Sequence, residues 1–198
     1  TGWAAASTRM AGLPGGSLNI AHEAVCRHVI ERHGDQAGII WLGRERPRQS
    51  LTYAELDQRT NQLVHHLQTL GITPDTLVGV CMERSFEMVI ALMGILKAGG
   101  AYVPLDPTLP PDRLSFMIAD AQTAVILTQD RYQQPLSHTG AAVLSLESGW
   151  AEIAQQPHTP PDVNLDDHNL AYMIYTSGST GKPKGAMLSY ANHFWSAT

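Results

Sequence analysis

Residues 77–103 read LVGVCMERSFEMVIALMGILKAGGAYV. Leu77–Met82 is a short apolar run, with Pro74-Asp75 before it and Glu83-Arg84 after it, the pattern of a strand buried on both faces. Ser85 offers an N-cap hydroxyl for a helix over Phe86–Lys97, and Gly99-Gly100 stops that helix ahead of a second short strand, Ala101–Val103. Strand, helix and strand within about 30 residues make a βαβ unit, which requires parallel pairing and a right-handed crossover. The helix is apolar on most faces, so it is expected between layers.

The alternation continues on both sides of this unit. Upstream, Leu18, Ile20, Ala21, Ala24, Val25, Val29 and Ile30 recur at helical spacing, Gly34-Asp35 breaks the pattern, and residues 37–42 read as a strand. Thr52 and Glu55 form a capping-box pattern for a helix whose face is Leu56, Thr60, Leu63, Val64, Leu67 and Leu70, with Gly71 as the stop. Downstream, Pro104, Pro107, Pro110 and Pro111 make a rigid turn, and Leu114, Met117, Ile118 and Ala121 mark another helix face. Strands are predicted over residues 124–127, 142–146 and 170–175, separated by a polar stretch at 129–140 and a surface connection at 155–167. The predicted fold class is a layered α/β sheet. Residues 1–16, rich in Ala, Gly and Ser, are expected to be a flexible leader, and residues 17–198 a single incomplete unit that stops inside what reads as a new helix.

The 198 residues carry a formal charge of −5 and are 43% hydrophobic but only 16% charged, which excludes disorder over most of the chain. With no run of Lys or Arg there is no electrostatic footprint for nucleic acid or an anionic membrane surface. The longest uninterrupted apolar run, Met88–Leu96, is about half of the ~20 residues that span a bilayer. Cys26 and Cys81 lie far apart without CxxC spacing, which points to buried thiols in a reducing cytoplasm rather than a metal site or disulfide.

The predicted strand at 170–175 runs directly into Thr176-Ser177-Gly178-Ser179-Thr180-Gly181-Lys182-Pro183-Lys184-Gly185. Glycines let backbone amides approach an anion, hydroxyls add donors, and lysines supply compact positive charge, which together are the ingredients of a phosphate cradle. A Walker loop is ruled out because Pro183 follows Gly181-Lys182, and neither GxGxxG nor GxSxG occurs. The alternative is a polar, flexible loop joining two strands. Two lysines bracketing a proline straight after a buried strand favour phosphate.

Tyr175–Gly185 resembles the signature loop of the adenylate-forming enzymes, the superfamily of acyl-CoA synthetases, luciferases and nonribosomal peptide synthetase adenylation domains. Leu51–Leu56 and Leu96–Pro107 are similar to the two upstream core motifs of that superfamily, in the expected order, and the resemblance covers residues 17–198. Residues 51–128, including Met82–Leu92 and Arg113–Asp120, are most similar to amino-acid-activating domains. Leu18–Val25 is similar to the start of acetyl-CoA-synthetase-type enzymes, and Met187–Ser196 to acyl-CoA ligases.

The resemblance implies a two-step ligase. A carboxylate, here an amino acid ahead of a fatty or aryl acid, attacks the α-phosphorus of ATP, pyrophosphate leaves, and the acyl-adenylate passes to a thiol of a carrier-protein phosphopantetheine or of coenzyme A. Thr176, Ser177, Gly178, Ser179, Thr180, Gly181, Lys182, Lys184 and Gly185 would hold the β- and γ-phosphates, with hydroxyls from Ser177, Ser179 and Thr180 and charge from Lys182 and Lys184. The superfamily's later motifs, which supply a Mg²⁺-binding acid, a ribose-binding aspartate, the substrate pocket and a lysine on a mobile carboxy-terminal subdomain, have no match before Thr198. No catalytic residue is therefore assigned, the remainder of the domain is an implied partner, and this chain alone is expected to bind ATP weakly without turnover. The competing reading is a nucleotide-binding or purely structural remnant.

The histidines are expected to be structural or solvent-facing. His22 and His28 flank Cys26 but do not form HExxH, His65 and His66 point about 100° apart on a helix, and His193 alone falls near the loop. Asp106 is expected to stabilise its turn.

Overall fold

The computed structural model describes residues 19–42, 48–177 and 182–192. A π-helical turn at His22–Cys26 runs into α1 (Arg27–Ile30), which leads to an antiparallel pair, β1 (Ala37–Trp41) and β2 (Gln49–Thr52). The chain continues through α2 (Tyr53–Thr69), β3 (Leu77–Cys81), α3 (Phe86–Lys97), β4 (Ala101–Pro104), α4 (Pro111–Asp120) and β5 (Val125–Thr128). It then forms α5 (Asp130–Leu136), β6 (Ala142–Ser145), α6 (Trp150–Ile153), β7 (Leu170–Ser177) and β8 (Pro183–Ser189). Six strands make one sheet in the order β6-β5-β3-β4-β7-β8, parallel except for β8.

Local chemistry accounts for the central elements. At the start of α2, Glu55 N donates to Thr52 Oγ1 at 3.2 Å and Thr52 N donates to Glu55 Oε2 at 2.8 Å, the reciprocal capping box. Ser85 Oγ accepts from Met88 N at 3.2 Å and starts α3. That helix ends at Gly99, whose φ of +83° favours glycine and where a Cβ would meet Leu165 Cδ2 at 2.9 Å.

The predicted βαβ unit is present, with β3 and β4 in parallel register and α3 between them in sequence. Both faces of the sheet are covered. Val78, Val80, Val125 and Leu127 pack with Leu63 and Leu67 of α2 and with Ile90 and Ile95 of α3. Cys81, Val103 and Ile126 point the other way, against Leu114, Met117 and Ile118 of α4. Burial on both faces is why β3 and β5 read as continuous apolar runs rather than alternating ones.

The two long helices approach closely, for a Cβ at Gly94 of α3 would meet Leu63 Cδ2 of α2 at 2.7 Å. Between them Lys97 is buried, its side chain 4% exposed, and its three ammonium protons go to Asp57 Oδ1 (2.7 Å), Thr60 Oγ1 (2.8 Å) and Asn61 Oδ1 (2.8 Å). Asn61 Nδ2 also donates to His158 O at 2.9 Å, which ties the connection after α6 to α2.

Several elements depart from the sequence reading. Residues 129–140, read as a polar stretch, contain α5, whose first amide, Asp130 N, donates to Glu147 Oε2 at 2.8 Å. That partner lies far along the chain, where local pattern does not look. β2 and α6 are further elements that the periodicity did not mark. β7 is half-buried rather than fully buried: Ala171 and Met173 are inside and Ile174 is 42% exposed. β8 runs on through Met187–Ser189, because Met187 and Leu188 pair across the hairpin with Met173 and Tyr172, and the new helix read at the end of the sequence begins at Tyr190. The expected leader at 1–16 and His193 lie outside the described residues.

Lys97→Met removes the cation beside Asp57, whose side chain is 18% exposed and keeps only the hydrogen bond from Asn61 Nδ2 at 3.1 Å, and is expected to lower stability by about 3 kcal/mol. In denaturant unfolding, Lys97→Met/Asp57→Leu is expected to regain most of that loss.

Candidate functional site

Because β6, β5, β3, β4 and β7 run parallel, their carboxyl ends share one edge of the sheet. Glu83 and Arg84 leave that edge after β3, Asp106–Thr108 after β4 and Gln129–Arg131 after β5, and Ser177 ends β7 there. The chain passes from β3 over α3 to β4 and back from β4 over α4 to β5, with α3 and α4 packed on opposite faces, so the connections leaving the neighbours β3 and β5 run in opposite directions across the sheet. Ligands of open α/β sheets bind outside the carboxyl ends, and a crevice of about 350 Å³ lined by Met82, Glu83, Arg84, Asp106 and Thr108 opens there between the ends of β3 and β4.

The described parts of the glycine- and lysine-rich segment, residues 176–177 and 182–185, emerge at the same edge where β7 and β8 pair. Tyr175 pairs with Gly185, Thr176 with Lys184 and Ser177 with Pro183. Opposed residues share a face, so Thr176 and Lys184 stand together on one side and Tyr175 and Gly185 on the other. Thr176, Ser177, Lys182 and Lys184 are exposed, and no ion pair joins either lysine to a described residue. Gly178, Ser179, Thr180 and Gly181 lie outside the described residues. The arrangement places two ammonium groups and two hydroxyls at the ends of a hairpin, a donor set suited to an anion with several oxygens.

The strands beneath that segment are held by side chains. Leu170 N and Asn169 Nδ2 donate to the two Asp75 oxygens at 2.7 and 2.9 Å. Tyr102 and Tyr172 stack with ring centroids 5.4 Å apart. Tyr190, fully buried past β8, donates its hydroxyl to Leu96 O at 3.2 Å. Nearest the loop, Tyr175 OH lies 2.7 Å from Asp120 Oδ2 and 3.2 Å from Met117 O. Burial, and then the hydrogen bond and charge of Asp120, push the Tyr175 phenol well above its ordinary range and keep it a donor. Across the rung, the space a Gly185 side chain would take is filled by Met173.

Asp106 behaves as its turn demands: Oδ1 accepts from Thr108 N at 2.9 Å and Thr108 Oγ1 at 2.7 Å, which holds the carboxyl below its usual range. His28 stacks on Tyr53 with ring centroids 4.2 Å apart, and His65 Nε2 lies 3.0 Å from Thr159 O. Among the described residues no group of three or more His, Cys, Asp or Glu could hold a metal ion. Cys26 and Cys81 are free thiols, each pushed up to about 11 chiefly by burial. The sequence reading assigned no role to Glu83, whose oxygens accept from Tyr132 OH at 2.6 Å and Arg131 at 2.8 Å beside the crevice. The charged pair Glu83-Arg84, read only as a strand boundary, was its one local signal.

A family model described as AMP-binding enzyme matches residues 26–198. The chain belongs to the AMP-binding enzyme family. It is 50% identical over 141 residues to one of the proteins that make up the linear gramicidin synthase of Brevibacillus parabrevis, a match covering 71% of this chain and 2% of that protein. To another component of the same synthase it is 49% identical over 184 residues, 91% of this chain and 4% of that one. The crystal structure of Brucella canis acyl-CoA synthetase has the same fold, with a TM-score of 0.82 at 18% identity over 94% of this chain and 36% of that one. The nonribosomal peptide synthetase FmoA3 in its AMPPNP-bound form gives a TM-score of 0.75 at 27% identity over 96% of this chain and 19% of that one. The chain thus spans a small part of the relatives it matches. The family that the loop and the two upstream motifs resemble, and the layered α/β fold that the alternation of strands and helices predicts, are both present.

Gly185→Val forces Met173 out of its place and is expected to cost about 1–3 kcal/mol in thermal or denaturant unfolding, with Met173→Ala relieving the overlap.

Proposed function

We propose that residues 17–198 form the first part of an adenylation domain that joins a carboxylic acid, an amino acid in particular, to the AMP portion of ATP with release of pyrophosphate. In the longer protein the acyl group then passes to the phosphopantetheine thiol of a carrier protein. The observation that carries the reading is the exposed Thr176, Ser177, Lys182 and Lys184 set at the loop end of the β7–β8 hairpin, on the edge where the parallel strands end. Identity of 49–50% to two components of linear gramicidin synthase supports an amino acid over a fatty or aryl acid. The AMPPNP held by FmoA3 supports ATP as the nucleotide.

The reactive bond belongs to the triphosphate, so the chain's task is to position it and offset its charge. Lys182 and Lys184 meet the β- and γ-phosphate oxygens, Thr176 and Ser177 donate hydroxyl protons, and Gly178, Ser179, Thr180, Gly181 and Gly185 complete the cradle. Each charged hydrogen bond contributes about 1.5–3 kcal/mol, tenfold or more in affinity. Mg²⁺ would be held through the phosphate oxygens with ligands beyond the described residues, which offer no cluster of their own. No helix among the described residues is long and apolar enough to cross a membrane. A reducing compartment such as the cytoplasm is the location we propose, since thiols such as Cys26 and Cys81 stay free there.

Pyrophosphate exchange by the longer protein tests the reading. One or a few amino acids are expected to support exchange, and Lys182→Ala/Lys184→Ala to weaken ATP binding at least tenfold. Exchange with fatty or aryl acids alone, followed by thioester formation on coenzyme A, would favour an acyl-CoA synthetase. Silence with every carboxylic acid would overturn adenylation.

A further inference from the structure

The hairpin that carries the loop shares few bridging backbone pairs with the sheet it extends, although β7 lies as close beside β4 as the other neighbouring strands lie to one another. β3 shares four register pairs with β4 and four with β5, whereas β4 shares one with β7, Tyr102↔Tyr172. Residues 173–177 run on past that pair with β8 as their strand partner among the described residues. Beyond Tyr172 the seat of β7 on the sheet therefore rests on packing and side-chain contacts rather than on further bridge pairs with β4.

Tyr175 supplies a fixed point in that stretch. Its hydroxyl reaches the last turn of α4, 2.7 Å from Asp120 Oδ2 and 3.2 Å from Met117 O. Asp120 is the final residue of α4, where the helix macrodipole disfavours a carboxylate. A residue that works against its own helix while accepting the phenol of a strand 55 positions away breaks a local rule in favour of a tertiary contact. The opposite side of the same rung is equally constrained, because Gly185 faces Tyr175 and Met173 occupies the room a side chain would need. Thr176 and Lys184 form the next rung, one residue or about 3.4 Å further along.

We propose that Asp120 and Tyr175 are a positioning pair for the loop: by tying the Tyr175–Gly185 rung to α4, they hold Thr176 and Lys184 in the orientation that meets a polyphosphate, without touching it. The role rests on the phosphate reading of the loop given above. It makes α4, an element with no residue in the loop, a determinant of nucleotide affinity.

The test uses the 198-residue chain with ATP as the probe, in Tyr175→Phe, Asp120→Ala, Asp120→Asn and Lys184→Ala variants, reading ATP affinity together with residue-resolved amide hydrogen exchange. Tyr175→Phe and Asp120→Ala are each expected to weaken ATP binding about fivefold and to speed exchange of the Thr176 and Lys184 amides by a similar factor, with exchange in β3 and β5 unchanged. Asp120→Asn keeps an acceptor oxygen and is expected to stay within about twofold of the parent. Because the two residues act as one unit, the Tyr175→Phe/Asp120→Ala double variant is expected to be no worse than Tyr175→Phe. If Lys184→Ala weakens ATP binding while Tyr175→Phe does not, or if Tyr175→Phe raises exchange throughout β3 and β5 as much as in the hairpin, the positioning role is overturned and the loop reading stands. ATP binding indifferent to Lys182→Ala and Lys184→Ala alike overturns the phosphate reading, and the positioning role with it.

Discussion

Parallel pairing of β3 with β4 on one side and β5 on the other is the constraint from which the architecture follows. Parallel neighbours cannot be joined by a tight turn, so each connection crosses the sheet through a helix, α3 on one face and α4 on the other. Helices on both faces require apolar side chains on both faces, hence the unbroken runs in β3 and β5. The same constraint delivers every strand-to-helix turn to one edge and puts the lysine-bearing hairpin there with them. The buried Lys97 network then locks α2 to α3 and to the connection after α6, fixing one layer against the sheet.

The β7–β8 hairpin obeys different rules. It meets β4 over a single register pair, exposes Ile174 and Met187, and depends on side-chain contacts through Asp75, Tyr102, Tyr175 and Tyr190 for its seat. Its base is anchored by the buried Ala171, Met173 and Tyr190, while the end that carries Thr176, Ser177, Lys182 and Lys184 is exposed. Sheet and hairpin are joined at one edge, with the phenol of Tyr175 bridging to α4 close to the proposed anion site.

Where structure depends on neighbours a few residues away, it was legible in the sequence. Thr52 with Glu55 and Ser85 with Met88 N set helix starts within one turn, and Gly99 set a stop, so α2, α3 and the strands around them were readable. α5 was not, because Glu147 satisfies its first amide, and β8 was not, because Met173 rather than any local signal makes Met187 a strand residue. The loop was visible as a composition of glycine, hydroxyl and lysine. Its support was not, since Asp120 and Tyr175 meet only in the fold, and the one trace in the sequence is an acid at the wrong end of a helix.

Phosphate recognition by the hairpin turn is the claim on which the functional reading stands, and residue-resolved NMR of the chain titrated with ATP measures it most directly. The expected result is that the largest amide shifts fall within residues 176–185 and are reproduced by inorganic tripolyphosphate. Saturable shifts confined to the crevice around Arg84 and Asp106, with residues 176–185 unmoved, would contradict it.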